Sequence, residues 1–413
     1  MPGPPPAPRT ILEVEITALD DGGRGVGVVG DLTVRVPFTL PGERVEVTVW
    51  RRAGSEADAD LRAVLRAASE RIAPSCPLFG VCGGCQLQHL PYARQLDWKT
   101  ALVRDHLARS GLTADVAACA GSPREYGYRS KITPHHEKPR GEAPPAIGFL
   151  KVGRKHEVVD VARCPLATDG INLRLPGFRA EIADRAAARR RGATFLVREA
   201  ASGVTTDPDA RVTERVVDLI LEFFAREFFQ NNPFLLPRLV ELVASSAAAA
   251  GAPVLVDTYS GSGLFALASA ARFAEVIGVE VSAGAIVAAR ENAARNGITN
   301  VRFLHADSAR IFAELAVPAS EVAVIIDPPR KGCDGAFLAQ LTAFAPRTIV
   351  YVSCNPETLA RDLAGLVPAG YVVRAVQPFD MFPQTRHVEC VAVLDRLVGR
   401  GGTAPGADAG SRP

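Results

Sequence analysis

The chain has 413 residues, nearly half of them apolar, and a formal charge of +2. That length is too great for one ordinary core and predicts two or three units, while the near-balanced charge excludes a globally cationic binder and leaves nucleic-acid contact to local basic surface. The proline-rich start holds no apolar run of signal-peptide length, and the alanine-rich stretch near Leu239–Pro253 is broken by Glu241 and too short for a bilayer, so the expectation is a cytoplasmic protein with no membrane partner.

Residues 1–9 and 399–413 are rich in Pro, Gly and Ala and are expected to be disordered ends. From Ile11 the pattern becomes alternating, with short β-runs at Leu32–Pro37 and Val45–Val49 parted by Gly22-Gly-Arg-Gly-Val-Gly27 and Pro41-Gly42. Such runs describe a small barrel. This stretch resembles the TRAM domain, an OB-like RNA-binding module.

Next comes Cys76-Pro-Leu-Phe-Gly-Val-Cys82-Gly-Gly-Cys85, three cysteines within ten positions. Two glycines between Cys82 and Cys85 let both sulfurs reach one centre, and Cys76 can fold back as a third ligand. Cys164 repeats the Cys-Pro context of Cys76 and is the candidate fourth. Two fillings compete, a structural zinc and a four-iron, four-sulfur (4Fe-4S) cluster, and spacing alone does not separate them. A radical cluster is disfavoured by the five residues between Cys76 and Cys82, and His89 reads as structural because four sulfurs are already available.

Helical spacing of Leu96, Leu102, Val103 and Leu107 predicts a helix over 92–110. Residues 121–164 are locally basic, with Arg124, Arg129, Lys131, Lys138, Arg140, Lys151, Arg154, Lys155 and Arg163 interleaved with Tyr126, Tyr128, His135, His136 and Phe149. Cations that hold phosphates beside aromatic faces that stack on bases suit single-stranded or looped RNA. Phe228-Phe-Gln-Asn-Asn-Pro233 reads as a junction, with Gln230 a candidate cofactor or base contact.

From Pro253 the chain alternates strands and helices: strands at Val254–Asp257, Glu275–Glu280, Val301–His305, Val322–Ile326, Thr348–Ser353, Val372–Val376 and Val388–Leu394. This succession predicts a doubly wound α/β sheet. Gly261, Gly263 and Ala266 satisfy a dinucleotide fingerprint, with Glu280 placed to grip ribose hydroxyls. The fingerprint alone does not distinguish a nicotinamide dinucleotide from S-adenosylmethionine. Asp257, directly before the glycine turn, favours an ammonium-bearing ligand over a pyrophosphate, and Asp307 could hold an adenine amino group.

The fourth strand ends in Asp327-Pro-Pro-Arg-Lys-Gly332, a rigid turn whose Arg330 and Lys331 add charge for phosphate. The fifth ends in Ser353-Cys354-Asn-Pro356, which can aim a thiol into a cleft. If the last strand runs antiparallel, Glu389 opens it beside Cys354, where burial would raise its pKa toward a value useful for proton abstraction.

The cysteine set, Phe-Phe-Gln-Asn at 228–231, Asp-Thr-Tyr-Ser-Gly-Ser-Gly at 257–263, Asp-Pro-Pro-Arg-Lys-Gly at 327–332, Ser-Cys-Asn-Pro at 353–356 and His-Val-Glu-Cys at 387–390 together resemble the RNA 5-methyluridine methyltransferase family, from the barrel to about residue 398. The resemblance implies a TRAM-like barrel over 10–68, a central α+β iron–sulfur and RNA-binding unit over 69–235, and a Rossmann-like class I methyltransferase over 236–398. It implies S-adenosylmethionine as cofactor, Cys354 as nucleophile and Glu389 as base. Gln230, Tyr259, Gly261, Gly263, Glu280, Asp307 and Asp327 would line the cofactor and uracil pocket. Cys76, Cys82, Cys85 and Cys164 resemble the branch with a four-iron, four-sulfur cluster, which includes ribosomal RNA enzymes, so the expected partner is ribosomal before transfer RNA and the expected state a monomer. Residues 171–222 fit the pattern poorly.

Three rival readings compete with this one. A cytosine-5 RNA methyltransferase could use Cys333 as second thiol, but no proline–cysteine pair stands at 327–332. An amino-group methyltransferase would follow Asp-Pro-Pro with an aromatic residue, and Arg330 stands there. A non-catalytic RNA-binding iron–sulfur protein leaves Cys354 and Glu389 without a task.

Overall fold

The computed structural model describes residues 10–137, 146–154, 156–187, 192–306, 311–312 and 315–397, with only the helical backbone of 184–187. Both expected disordered ends, Asp307, Lys138, Arg140 and Lys155 lie outside the described residues.

Six strands, β1 Thr10–Glu15, β2 Ala18–Leu19, β3 Gly25–Val29, β4 Leu32–Val36, β5 Arg44–Ala53 and β6 Glu56–Arg66, are ordered β1-β5-β6-β4-β3-β2. Since β1 and β2 are parted only by Ile16 and Thr17 yet sit at opposite ends of that order, the sheet closes on itself as a barrel. Alternation fills it with Val14, Ile16, Val34, Val36, Val45 and Val47. The Gly25-Val-Gly segment, expected as a turn, is strand β3. A Cβ on Gly27 would stand 2.2 Å from the Glu15 carbonyl oxygen, so the strands can cross there only on glycine.

The cysteine segment follows and leads into α1, Tyr92–Arg109. Short strands β7 Lys131–Ile132, β8 His135–His136, β9 Ile147–Leu150, β10 Val158–Asp160, β11 Ala193–Thr194, β12 Val197–Ala200 and β13 Gly203–Thr205 pack with α2, Asp169–Ala187, around Ile132, Ile171, Leu175, Phe178 and Val197. A hairpin, β14 Arg211–Val216 with β15 Leu219–Phe224, leads toward α3, Leu236–Ala248.

The main sheet has seven strands: β16 Val254–Asp257, β17 Glu275–Glu280, β18 Val301–His305, β19 Val322–Ile326, β20 Thr348–Ser353, β21 Tyr371–Phe379 and β22 Glu389–Arg396. Their order is β18-β17-β16-β19-β20-β22-β21, parallel from β18 to β20, with β22 antiparallel to both neighbours. Helices α4 Leu264–Ser269, α5 Ala283–Arg295, α6 Gly335–Phe344 and α7 Pro356–Leu366 connect the strands. This is the expected doubly wound α/β sheet, preceded in the chain by a small closed barrel. Its apolar runs are buried on both faces. One face is covered by α3 and the β14–β15 hairpin, through Leu239, Val243, Val212 and Phe223, the other by α1 and α7, through Leu102, Val103, Leu359 and Leu363. Helix α1 thus contributes to the same core as the main sheet. Among the described residues no helix is long and apolar enough to cross a membrane.

Candidate active site

In an open α/β sheet, ligands bind beyond the carboxyl ends of the parallel strands, at the point where strand order reverses. Here that point lies between β16 and β19. Side by side along this rim, β17 delivers Glu280, β16 Asp257, β19 Asp327, β20 Cys354 and β22 Glu389. The last is the informative one. Because β22 is antiparallel, with Ser353 paired to Cys390, its first residue lies where β20 finishes. Cys354 and Glu389 therefore leave adjacent strand ends at the same place, close enough for the Glu389 charge to raise the Cys354 thiol.

The rim is acidic and largely dry. Glu389 is 3% exposed, and burial followed by the charge of Asp327 pushes its carboxyl well above the usual carboxylate range. Asp257 is fully buried and raised to about 7, by burial first and then by Asp327 and Glu280. Burial raises Asp327 to about 7 as well. Cys354 is half-buried, and its thiol is raised to about 11 by burial, then by Glu389 and Asp327, with Arg330 acting the other way.

Behind Asp257 the chain turns on two glycines with left-handed backbone, Gly261 at φ 52° and Gly263 at φ 95°. A Cβ on Gly263 would crowd Leu267 and Phe303 at 3.1 Å, whereas one on Gly261 would meet nothing. Glu280 accepts hydrogen bonds from the Gly261 and Ser282 backbone N–H groups, and Asp257 Oδ2 accepts from Ala266 N–H. Several buried polar atoms lack a partner: Gln230 Oε1, Asp257 Oδ1 and Ser260 Oγ. Buried polar atoms are normally paired, so these fit a polar ligand that completes them. Tyr259 is half-buried, its ring tilted 5.6 Å from that of Phe337.

Cys354 opens onto a cleft of about 1450 Å³ whose lining includes Arg24 and Arg35 of the barrel, the cysteine loop, Arg129, Arg330, Arg386 and His387. Much of the expected basic surface lies here: Arg129, Lys151, Arg154 and Arg163, with His135 and Phe149. Tyr128 and His136 correct the expectation, being buried at 0% and 2% exposure. Tyr128 donates to the Pro383 carbonyl and His136 stacks on Phe195, so neither ring face is available to a base. The Arg124 guanidinium lies 4.1 Å over the Phe234 ring.

Cys76, Cys82, Cys85 and Cys164 line the same cleft and are free thiols, and the thiols of Cys82, Cys85 and Cys164 are raised, by burial first and then by neighbouring sulfurs of the set. Among the described residues no group of three or more His, Cys, Asp or Glu is gathered tightly enough to hold a metal ion. As they stand, then, the four thiols are not a preformed tetrahedral zinc site. His89 is fully buried, its ring tilted against that of Phe79 at 5.3 Å, a structural position.

Residues that sequence reasoning missed cluster before Glu389. His387 is half-buried in the cleft and lowered to about 4 by burial and then by Arg330 and Arg386. Lys99 and Asp380, both fully buried, form an ion pair at 2.6 Å.

Comparison with known proteins agrees with this geometry. The family described as tRNA (Uracil-5-)-methyltransferase matches residues 208–397, and the TRAM domain of tRNA (uracil(54)-C(5))-methyltransferase matches 12–66. A tRNA (uracil(54)-C(5))-methyltransferase of Schizosaccharomyces pombe is 38% identical, over 94% of this chain and 78% of its own. A 23S rRNA (uracil(1939)-C(5))-methyltransferase of Alkalilimnicola ehrlichii is 32% identical, over 94% and 97% respectively. The crystal structure of Pyrococcus abyssi tRNA (uracil-54, C5)-methyltransferase with S-adenosyl-L-homocysteine superposes with a TM-score of 0.71 at 26% identity, covering 93% of this chain and 100% of that one. With the rim, the cleft and the barrel in place, the chain belongs to the TRAM-containing family of S-adenosylmethionine-dependent RNA uracil-C5 methyltransferases.

Proposed function

We propose that the chain forms 5-methyluridine in transfer RNA, with Cys354 as nucleophile and Glu389 as base. The adjacency of these two side chains at the rim of one cleft carries the reading. Carbon 5 of uracil is too weak a nucleophile to take a methyl group unaided. After losing its proton to solvent, the Cys354 sulfur bonds to carbon 6, and the displaced π pair becomes an enolate with electron density at carbon 5. S-adenosylmethionine, when bound, supplies the electrophilic methyl group. The Glu389 carboxylate then takes the carbon 5 proton, the freed pair restores the ring double bond, and the sulfur leaves as thiolate.

Gln230, Tyr259, Gly261, Gly263, Glu280 and Asp327 are the residues proposed to hold the cofactor and the ring, supported by the open space at Gly261 and the unpartnered Gln230 oxygen. The cleft's basic lining suits phosphates around a nucleotide turned out of its stack. The four cysteines that line the cleft, three of them desolvated, are proposed to hold a four-iron, four-sulfur cluster, whose core would take four thiolates.

Transfer RNA stands first because the fission yeast relative and the Pyrococcus structure both bear that substrate in their names. Ribosomal RNA, the expectation from the cysteine pattern, is the second reading, favoured by the Alkalilimnicola relative. Incubating the enzyme with full-length tRNA and with a 23S fragment, then locating 5-methyluridine, tests the choice. Methylation confined to the ribosomal fragment would overturn the first reading.

A further inference from the structure

The segment Asp380–Val388, which delivers Glu389 to the rim, is held by buried polar groups from outside the methyltransferase sheet. Two of them, Gln95 and Lys99, stand one turn apart on α1, and both are 0% exposed. Lys99 donates to Asp380 Oδ1 at 2.6 Å and to the Phe382 carbonyl at 3.3 Å. Gln95 makes a reciprocal pair with Gln384: its Nε2 donates to Gln384 Oε1 at 2.9 Å, and its Oε1 accepts from Gln384 N–H at 3.0 Å. The same Nε2 reaches the carbonyls of Leu87 and Leu90. Finally, the Gln384 carbonyl accepts from the N–H groups of Gln86 and Leu87, the two residues after Cys85.

Gln384 itself is unusual. Its φ is 69°, in the left-handed region that a glutamine rarely adopts, and it is 2% exposed. Such strain persists only where the surroundings over-determine it, and here side chain, N–H and carbonyl are each engaged. A loop whose only task was to link β21 to β22 would gain nothing from this. A loop that must hold a carboxylate to within a fraction of an ångström beside a substrate carbon would, because small displacements of a proton acceptor are costly.

We propose that Gln384 is a positioning residue for the proton-removal step, clamped by Gln95 and by the backbone after Cys85, so that the cysteine segment is the footing on which Glu389 is aimed. The inference rests on the uracil mechanism proposed above. In that mechanism Cys354 addition needs only β20 and α7, whereas removal of the carbon 5 proton needs Glu389 at the end of the clamped segment. Loosening the clamp should therefore leave the first half-reaction and slow the second.

The test uses the full chain with Gln384→Asn, which tolerates the left-handed backbone but has a side chain one methylene shorter, and Gln384→Gly, which removes strain and side chain together. Gln95→Met, nearly isosteric, breaks the pair from the other side. Each variant is checked for thermal unfolding and RNA affinity, then for two covalent readouts on denaturing gels. With ordinary uridine RNA and S-adenosylmethionine, the variants should accumulate a Cys354–RNA adduct absent from wild type. Their kcat should fall by about tenfold to a hundredfold while KM for RNA stays within about threefold. With 5-fluorouridine RNA, which lacks the proton to be removed, adduct should form at the wild-type rate. A parallel loss of both readouts, or kcat unchanged in all folded variants, would overturn the proposal. If Gln384→Asn does not fold, Gln384→Gly decides on the same readouts. Failure of wild type itself to form the 5-fluorouridine adduct would instead remove the uracil mechanism, and this proposal with it.

Discussion

Glu389 stands beside Cys354 because the last strand of the sheet is reversed: Ser353 pairs with Cys390, so Cys354, which follows Ser353, and Glu389, which precedes Cys390, lie at the same rim. The pairing puts a thiol and a carboxyl together in a partly dry site. Burial disfavours the charged form of both, the Glu389 charge adds to it at Cys354, and the Asp327 charge adds to it at Glu389.

Division of labour between the two groups has a direct consequence for Glu389→Gln. Addition at Cys354 should survive, while loss of the carbon 5 proton should fail. The expected outcome is a fall in kcat of about a hundredfold to ten-thousandfold, with accumulation of a methylated covalent adduct on ordinary RNA. Gel mobility and mass of the adduct check this; a variant that turns over normally refutes the role.

Cys354 should be mostly protonated in the free enzyme, its thiol being held up to about 11. Since only the thiolate adds to a ring, the rate of adduct formation at limiting RNA should rise with pH, by about tenfold per unit, well below that value. Stopped-quench measurement between neutral and mildly alkaline pH checks it. A plateau near neutrality would mean that the thiol is ionised before RNA arrives.

Stability should carry the opposite dependence. Asp257 and Asp327 have folded pKa values of about 7, above the ordinary aspartate value of 3.8, so the folded state holds protons that the unfolded state has released. Their contribution is fully present below the unfolded pKa and is lost as pH rises toward about 7. Discounting for the half-exposure of Asp327, Asp327→Asn should raise the stability of ligand-free protein at pH 8 by ~1 kcal/mol while abolishing methyl transfer. Thermal unfolding at two pH values checks the sign.

Much of this was legible in the sequence, for identifiable reasons. The strands of the main sheet from Val254 to Ser353 are continuous apolar runs ending in Asp257, Glu280, Asp327 and Cys354, so their limits show in the residues themselves. The β5–β6 hairpin is harder to see in the sequence, because the inward positions of Glu56–Asp60 are only alanines and both Arg51–Ala53 and Leu61–Arg66 are mostly exposed. Tyr128 was misjudged because an aromatic between glycine and arginine looks like surface; its burial follows from Pro383, 255 positions away. The Lys99–Asp380 pair joins residues 281 apart and leaves no local pattern.

That pair also yields a prediction. Removing one partner of a fully buried ion pair leaves an uncompensated charge, so Lys99→Met should destabilise the protein by about 3–5 kcal/mol. Adding Asp380→Leu should recover much of that loss. Denaturant unfolding of the single and double variants checks it, and equal stability of the two would show that the pair is not coupled.

The cysteine cage predicts a colour. Protein purified without oxygen should be brown and contain about four irons per chain, lost together on Cys82→Ser. Colourless protein with one zinc per chain would replace the cluster by a single ion.

Most directly, RNA carrying 5-fluorouridine and S-adenosylmethionine should trap wild-type enzyme as a covalent complex, and digestion should place the modified peptide at Cys354. An active preparation that leaves no adduct, or one attached to Cys333 or Cys390, would contradict the mechanism.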